Sequence, residues 1–233
     1  MTIKNSRILD HTDALEDSTH PSPPLRASGA RAVFCYALMA ACVVFMLMQN
    51  RWAAPAPGTE GEPIPLGALF GPAVQAGQWW RLVATALEHG NAIHLLFNLS
   101  VVFTLGTTLE RAIGSWRFAA ISWVTTLGSS TFALLFAFEH LTVGASGMIL
   151  GWAGASLPIA TQHGRRTLGI WLVQVAVISL LPGVSWQGHL GGFLFGLPCG
   201  LLLRSGESRF VVLMPVLMAA ATGAAVLAAS VGH

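Results

Sequence analysis

Charged side chains are scarce in this sequence. Asp, Glu, Lys and Arg make up 9% of the 233 residues, whereas a soluble domain carries about 25%. Because 54% of the residues are hydrophobic, we expect the chain to lie mainly in lipid. The formal net charge of +2 is small and the basic residues form no stripe, which excludes nucleic acid as a partner.

Cysteine is also rare, and its spacing excludes the common functional patterns. Cys35, Cys42 and Cys199 stand in apolar runs without a CxxC pair. This favours small buried hydrophobic side chains over metal ligands or a disulfide. No cofactor or metal is therefore expected.

Long apolar runs are the dominant feature of the chain, and they predict seven membrane-spanning helices. The runs lie at 33–48, 94–109, 117–137, 146–161, 168–182, 189–203 and 210–230. Residues 1–31 are polar and Pro-containing, which predicts a disordered cytoplasmic tail. We expect a membrane domain at 32–205 and an additional C-terminal transmembrane helix at 206–233.

The basic residues predict the orientation, since they concentrate in cytoplasmic loops. With the N-terminus in the cytoplasm, only Arg51 and Arg81 fall outside. The C-terminus is then external. We expect a multi-pass protein of a bacterial inner membrane. The basic residues on the inner side are Lys4, Arg7, Arg26, Arg31, Arg111, Arg117, Arg165, Arg166, Arg204 and Arg209.

The connection from Asn50 to Trp80 is long and rich in Pro and Gly. It ends in Trp79 and Trp80, followed by Arg81. Because Trp anchors at the membrane interface, this pattern predicts a structured loop lying there.

Four polar residues fall at one depth in this topology. His94 and Asn98 lie near the outer end of segment two, Ser146 at the outer end of segment four, and His189 at the outer end of segment six. Ionisable groups within a membrane are functional candidates. We therefore expect these four side chains to converge in one outward-facing cavity.

Ser146 stands between Gly144 and Gly147 in a GxSG motif. Alone, such a serine is more typical of helix packing than of catalysis. The motif is not the GxSxG elbow of soluble hydrolases, because Met148 occupies the last position.

Segments four and six carry complementary faces of small residues, which permit close backbone packing. These faces hold the bundle together in any case, but packing alone does not explain His189 on the same segment. Close packing is also what a short hydrogen bond between Ser146 and His189 would require. The faces are Gly147, Gly151 and Ala155 in segment four and Gly188, Gly192, Gly196 and Gly200 in segment six.

Histidine is the usual base for a serine nucleophile. A carboxylate partner is missing, since Glu88 and Glu139 lie outside, Glu110 lies inside and no Asp follows Asp17. We therefore expect a Ser–His dyad in which packing orients His189.

His89, His94 and Asn98 form the spacing HxxxxHxxxN. His94 and Asn98 share one helical face, and both can donate hydrogen bonds to a developing oxyanion. A metal site is less well supported: no HExxH occurs, and His89 and His94, five residues apart, would face different directions. For His89, a structural role at the interface and a chemical role stay equally open.

The ordered motifs resemble the rhomboid intramembrane proteases over roughly residues 33–203. The motifs are Trp80–Arg81, HxxxxHxxxN, Glu110–Arg111 with Gly114, GxSG and the run Gly188-His189-x-x-Gly192-x-x-x-Gly196. The resemblance implies a six-helix core plus one helix. It implies that Ser146 is the nucleophile, that His189 is the base and later the acid, and that His94, Asn98 and the Ser146 amide form the oxyanion hole. It further implies structural roles for the Trp80–Arg81 loop, Glu110 and Arg111.

One departure from the family pattern concerns Leu150. The family often has an aromatic residue there, one turn after the serine and packed on the catalytic imidazole. The orientation of His189 is therefore open. A second departure is the seventh segment, which lies beyond the six-helix core and whose contribution the sequence does not reveal.

These features favour an intramembrane serine endopeptidase that cleaves transmembrane segments of membrane proteins near the outer face of the bilayer. One alternative is a catalytically silent rhomboid-like protein that binds membrane helices; silent relatives lose the serine or the histidine, and both are present here. The other is a small transporter or channel, which predicts polar groups through the whole membrane depth.

Overall fold

A helix lies in each of the seven predicted segments in the computed structural model, which describes residues 31–231. The predicted tail, apart from residue 31, lies outside the described residues. In chain order the elements are α1 (Val33–Trp52), β1 (Ala54–Pro55), β2 (Pro63–Ile64), α2 (Gly71–Gln75), α3 (Arg81–Ala84), α4 (Ala92–Val101), a π-helix (Val102–Gly106), α5 (Thr107–Ile113), α6 (Ser115–Phe136), α7 (Ser146–Ser156), α8 (Gln162–Ile178), α9 (Trp186–Arg204) and α10 (Glu207–Val231).

Four stretches are long and apolar enough to cross a membrane by length and composition: Val33–Trp52, Ala92–Ile113, Ser115–Phe136 and Glu207–Val231. The predicted polytopic helical bundle is confirmed. Its fourth segment is shorter than predicted, because α7 has only 11 residues. The connection between α1 and α3, which was predicted to lie outside and is called the outer loop below, adds one small element that the sequence did not indicate, the antiparallel pair of β1 and β2.

The short helix α7 lies at the centre of the bundle, where all of its residues except Ser146 are buried. It packs closely against α9 through the two faces of small residues. A Cβ atom on Gly192 would collide with the backbone of Gly147, and one on Gly196 with the backbone of Gly151. Further along, Gly200 lies in the same way against Ala155. This regular spacing fixes the register between the helix of Ser146 and the helix of His189.

The outer loop is folded around the side chain of Arg81, which is buried. Its Nη1 donates to the carbonyl oxygens of Pro65 at 2.8 Å and Ala68 at 2.7 Å. The neighbouring Trp80 is half exposed, and its Nε1 donates to Leu66 O at 3.0 Å. The loop thus presents an aromatic surface while its cation satisfies the backbone carbonyls inside, as a structured interfacial loop requires.

Glu110 anchors the other end of segment two. Its buried carboxylate accepts from the backbone N–H groups of Phe34 at 2.9 Å and Cys35 at 2.8 Å, and from Ser115 Oγ at 2.5 Å. The first N–H groups of a helix have no partner within the helix, and a negative charge there is favourable. Glu110 therefore caps α1 from a distant part of the chain, while Arg111 donates to Tyr36 Oη at 3.1 Å.

The C-terminal helix α10 packs along α6. Its buried residues lie three, four or seven positions apart, apart from the adjacent pair at its end, as a helix packed on one side requires. Thr222 accepts from Trp123 Nε1 of α6 at 3.2 Å, and Arg117 forms an ion pair with Glu207. The buried residues of α10 are Phe210, Met214, Ala221, Ala225, Ala228 and Ala229.

Candidate active site

Ser146 is the first residue of α7 and is partly exposed. The chain enters this helix through Gly144, whose φ of 124° is a conformation that residues with a Cβ atom rarely adopt. The Gly144 N–H donates to Thr85 O at 2.9 Å, which ties the turn to the outer loop. The nucleophile candidate thus lies at a helix N-terminus, where backbone N–H groups are available to an anion.

The ring of His189 meets Ser146 across the interface of α7 and α9. Its Nε2 lies 2.7 Å from Ser146 Oγ. His189 is in the first turn of α9, which Ser185 caps by accepting from the Gly188 N–H at 3.3 Å. The close approach follows from the glycine register, because a larger residue at Gly192 would push the two helices apart.

A second serine contacts the same imidazole. Ser179 Oγ lies 2.6 Å from His189 Nδ1, whereas Ser146 contacts the other ring nitrogen, Nε2. The sequence did not single out this residue. The expectation that packing alone orients His189 is therefore incomplete, because a hydrogen bond from the segment at the end of α8 also holds the ring.

His94 lies beside the turn that precedes Ser146. A Cβ atom on Gly144 would be 2.9 Å from His94 Nε2 and 3.7 Å from Ser146 Oγ, so Gly144 leaves space for both side chains. His94 is placed by the cap of α4, because Asn91 Oδ1 accepts from its backbone N–H at 2.9 Å.

Asn98 is buried one turn after His94, and its Nδ2 donates to His94 O at 2.9 Å. An amide nitrogen carries two protons, and this bond uses one of them. The amide therefore has a second proton to donate.

His89 and His94 lie against each other, contrary to the expectation that they face different directions. Their rings meet edge to face with centroids 5.1 Å apart. The reason is that His89 precedes α4, so helical spacing does not govern its direction. Burial, together with the positive charge of a protonated His94, lowers the pKa of His89 to about 4. His89 therefore packs against the His94 ring as a neutral imidazole.

Glu88 is fully buried next to His89, although the sequence placed it only on the outer side. Its Oε1 accepts from the Gly67 N–H at 3.0 Å. Burial raises the pKa of this carboxyl, while the Gly67 hydrogen bond and the charge of Arg81 act in the opposite direction. Among the described residues, Glu88 Oε2 and His89 Nε2 have no hydrogen-bond partner.

The structure thus places Ser146 against His189, and His94 beside the turn that precedes Ser146, with Asn98 bonded to the backbone of His94. Gly147, Gly192 and Gly196 provide the close packing of α7 on α9, and Gly144 provides the turn. Trp80 and Arg81 organise the outer loop, and Glu110 and Arg111 hold the opposite end of the second segment. Leu150 is buried in the core one turn after Ser146. Within residues 31–231, no three His, Cys, Asp or Glu side chains are grouped so that they could hold a metal ion.

The fold defines a multi-pass helical membrane protein with polar side chains gathered at one end of its central helix. A family model for the rhomboid domain matches residues 76–206, more than half of the chain. The chain belongs to the rhomboid family.

Curated relatives agree with this assignment. The chain is 30% identical to rhomboid protease GluP of Bacillus subtilis over 57% of its length and 28% of the relative. It is 32% identical to the mitochondrial RHOMBOID-like protein 6 of Arabidopsis thaliana over 70% of its length and 57% of the relative. With rhomboid protease AarA of Providencia stuartii it shares 26% identity over 62% of its length and 63% of the relative. The chain thus spans less than two thirds of each of these relatives.

Proposed function

We propose that this protein is an intramembrane serine endopeptidase that cleaves transmembrane segments of membrane proteins near the outer membrane face with a Ser146–His189 dyad. The 2.7 Å approach of His189 Nε2 to Ser146 Oγ is the observation that carries the proposal. Two relatives that are named rhomboid proteases support the same activity.

The first half of the reaction forms an acyl-enzyme. His189 Nε2 takes the proton of Ser146 Oγ as the oxygen attacks the carbonyl carbon of the scissile peptide bond. The carbonyl oxygen gains negative charge, which the Ser146 N–H, the Asn98 amide and the His94 ring stabilise by donating hydrogen bonds. His189 then gives its proton to the leaving amine, and the C–N bond breaks.

The second half repeats these steps with water. His189 deprotonates a water molecule that attacks the acyl carbon, and Ser146 regains its proton when the ester bond breaks. The substrate must expose its backbone to the serine, so a helix that unwinds easily near the outer face is the expected substrate. Water must reach the site from the same face, since hydrocarbon supplies none.

Labelling with a fluorophosphonate probe tests the nucleophile. We expect the wild-type protein to be labelled, and the Ser146→Ala and His189→Ala variants to be unlabelled while remaining folded. Labelling that persists in Ser146→Ala would exclude Ser146 as the nucleophile. A folded wild-type protein that is not labelled, but that co-purifies with intact membrane partners, would favour a catalytically silent protein that binds membrane helices. Leu150, which replaces the aromatic residue often found in the family, is the feature that agrees with this alternative.

We further propose that residues 32–205 form the catalytic domain, with α10 as an added helix, a cytoplasmic N-terminus and an external C-terminus in a bacterial inner membrane. The end of the family match at residue 206 supports the boundary between α9 and α10. Single cysteines on a variant lacking Cys35, Cys42 and Cys199 test the topology. The Glu139→Cys variant should react with a membrane-impermeant maleimide from outside, and the Arg165→Cys variant only after permeabilisation. The reverse result would show that the orientation is inverted.

A further inference from the structure

One polar residue is buried in a part of the chain that is otherwise not buried. Of residues 157 to 187, which are all described, Ser179 alone is buried. None of the residues of α8 is buried, although Trp171, Leu172 and Val175 pack partly against the core. The side chain that this segment inserts furthest into the protein is thus a hydroxyl, and it contacts the imidazole of His189.

The hydrogen bonds of Ser179 determine which atom donates the proton in its contact with His189. A serine hydroxyl has one proton to donate and two lone pairs. Ser179 Oγ donates to Val175 O of its own helix at 2.7 Å. With its proton used there, the hydroxyl oxygen can only accept from His189 Nδ1 at 2.6 Å.

This arrangement fixes the tautomer of the imidazole. A neutral imidazole carries one proton, so a protonated Nδ1 leaves Nε2 with a lone pair. Nε2 is the nitrogen that lies 2.7 Å from Ser146 Oγ. In the opposite tautomer the Nε2 proton would point at Ser146, and His189 could not act as the base.

We propose that Ser179 is a positioning residue that holds His189 in the tautomer and orientation required to deprotonate Ser146; this inference rests on the proposed function. In the reaction Ser179 transfers no proton. Its oxygen continues to accept from Nδ1 when Nε2 becomes protonated, so it performs without charge the orienting role that a carboxylate has in a triad.

The protein offers a matched control in Ser156. Ser156 and Ser179 are both 7% exposed. Ser156 Oγ also donates to a carbonyl four residues earlier, Trp152 O, at 2.8 Å. Within residues 31–231 Ser156 forms no hydrogen bond with a histidine, so Ser156→Ala reproduces the loss of a buried intrahelical serine bond without altering the imidazole.

The first experiment measures the rate of fluorophosphonate labelling of the full chain in detergent. We expect Ser179→Ala to slow labelling about tenfold, which corresponds to about 1.4 kcal/mol. Ser156→Ala should stay within about twofold of wild type, and the two variants should lose similar thermal stability. Ser179→Thr keeps the accepting hydroxyl and should recover most of the rate. Equal rates for Ser179→Ala and Ser156→Ala, or a Thr variant as slow as the Ala variant, would overturn the proposal.

The second experiment reads the ring directly and does not require activity. In protein labelled with ¹⁵N-histidine, the His189 signals are assigned by comparison with His189→Gln. The wild-type ring should carry its proton on Nδ1, and Ser179→Ala should show a mixture of tautomers. A wild-type ring protonated on Nε2 would exclude this role for Ser179. If the wild-type protein is not labelled by the probe, the proposed function fails, while the ring spectrum still decides the arrangement of the hydrogen bonds.

Discussion

Gly192 of α9 lies directly against the backbone of Gly147 of α7, one residue after Ser146. The contact determines how far His189 is from the serine, because His189 lies three residues before Gly192 in the same helix. A methyl group at this point must push the two helices apart or rotate them. The small residue is therefore part of the geometry of the site, although it contacts no reacting atom.

Substituting Gly192 by alanine tests this relationship. We expect Gly192→Ala to cost about 1–3 kcal/mol of stability through overpacking. A displacement of 1 Å at the dyad would reduce activity on the order of a hundredfold. Thermal unfolding in detergent and the rate of fluorophosphonate labelling measure the two effects. Gly223→Ala in α10 is the control, since a Cβ atom there meets nothing within 4 Å; similar losses in the two variants would contradict the packing explanation.

Glu110 allows a test of the distant cap on α1. Glu110→Gln keeps one accepting oxygen but places an N–H₂ group next to backbone N–H donors of α1. Because hydrogen bonds to a charged acceptor contribute about 1.5–3 kcal/mol, we expect a destabilisation of about that size. Denaturant unfolding measures it. Glu139→Gln, at an exposed carboxylate, should change stability by less than about 0.5 kcal/mol; equal effects would show that Glu110 is not a cap.

Burial of His89 predicts a dependence of stability on pH. In the unfolded chain this histidine binds a proton below its ordinary pKa of 6.5, whereas in the folded protein it does so only below about 4. The unfolded state therefore holds more protons between these values. The stability contributed by neutral His89 is complete above pH 6.5, falls by about 1.4 kcal/mol for each pH unit below it, and levels off near pH 4.

The His89→Gln variant isolates this contribution. Glu88 acts in the opposite direction, because its raised pKa means that the folded state retains a proton that the unfolded state has lost, so its stabilising effect is lost as the pH rises. The quantity to measure is the difference in unfolding free energy between wild type and His89→Gln from pH 4.5 to 7.5. A difference that does not change with pH would contradict the buried neutral histidine; His140→Gln, at an exposed histidine, controls for the substitution itself.

Arg81 links the outer loop to the turn before Ser146. The guanidinium binds Pro65 O and Ala68 O, the adjacent Leu69 pairs with Thr142, and Thr85 O accepts from Gly144. Arg81→Lys keeps the charge but loses the rigid guanidinium, whose Nη1 donates to both carbonyls while its Nε donates to Gln78 Oε1 at 2.7 Å.

We expect Arg81→Lys to lower the labelling rate and to increase proteolysis of the loop. Losing one charged hydrogen bond lowers the stability of the folded loop by about 1.5–3 kcal/mol, so the loop opens more often. Limited proteolysis and labelling rates measure both effects. The exposed Arg51 provides the control substitution, Arg51→Lys, and an equal response of the two variants would show that Arg81 does not organise the loop.

The approach of Ser146 to His189 could be predicted from the sequence. The segments that carry them run in the same direction, and the glycine spacing on both helices defines how they pack. Ser179 could not be predicted in this way. A serine at the end of an apolar run is ordinary, and its partner His189 lies beyond a turn whose path depends on tertiary structure. Glu88 and His89 were missed as buried groups for a related reason, because only the folded outer loop covers them.

The π-helix at Val102–Gly106 was likewise not predicted, since no local sequence signal marks it. It separates the two functional ends of one membrane segment: His94 and Asn98 before it, and Glu110 after it. Each residue of an α-helix turns the chain by about 100°, so a wide turn that accommodates one more residue changes the rotational phase between the two ends. The same span can then direct its N-terminal end toward Ser146 and its C-terminal end toward α1. Shortening this turn by one residue would leave both groups of side chains intact but unable to face their partners at the same time.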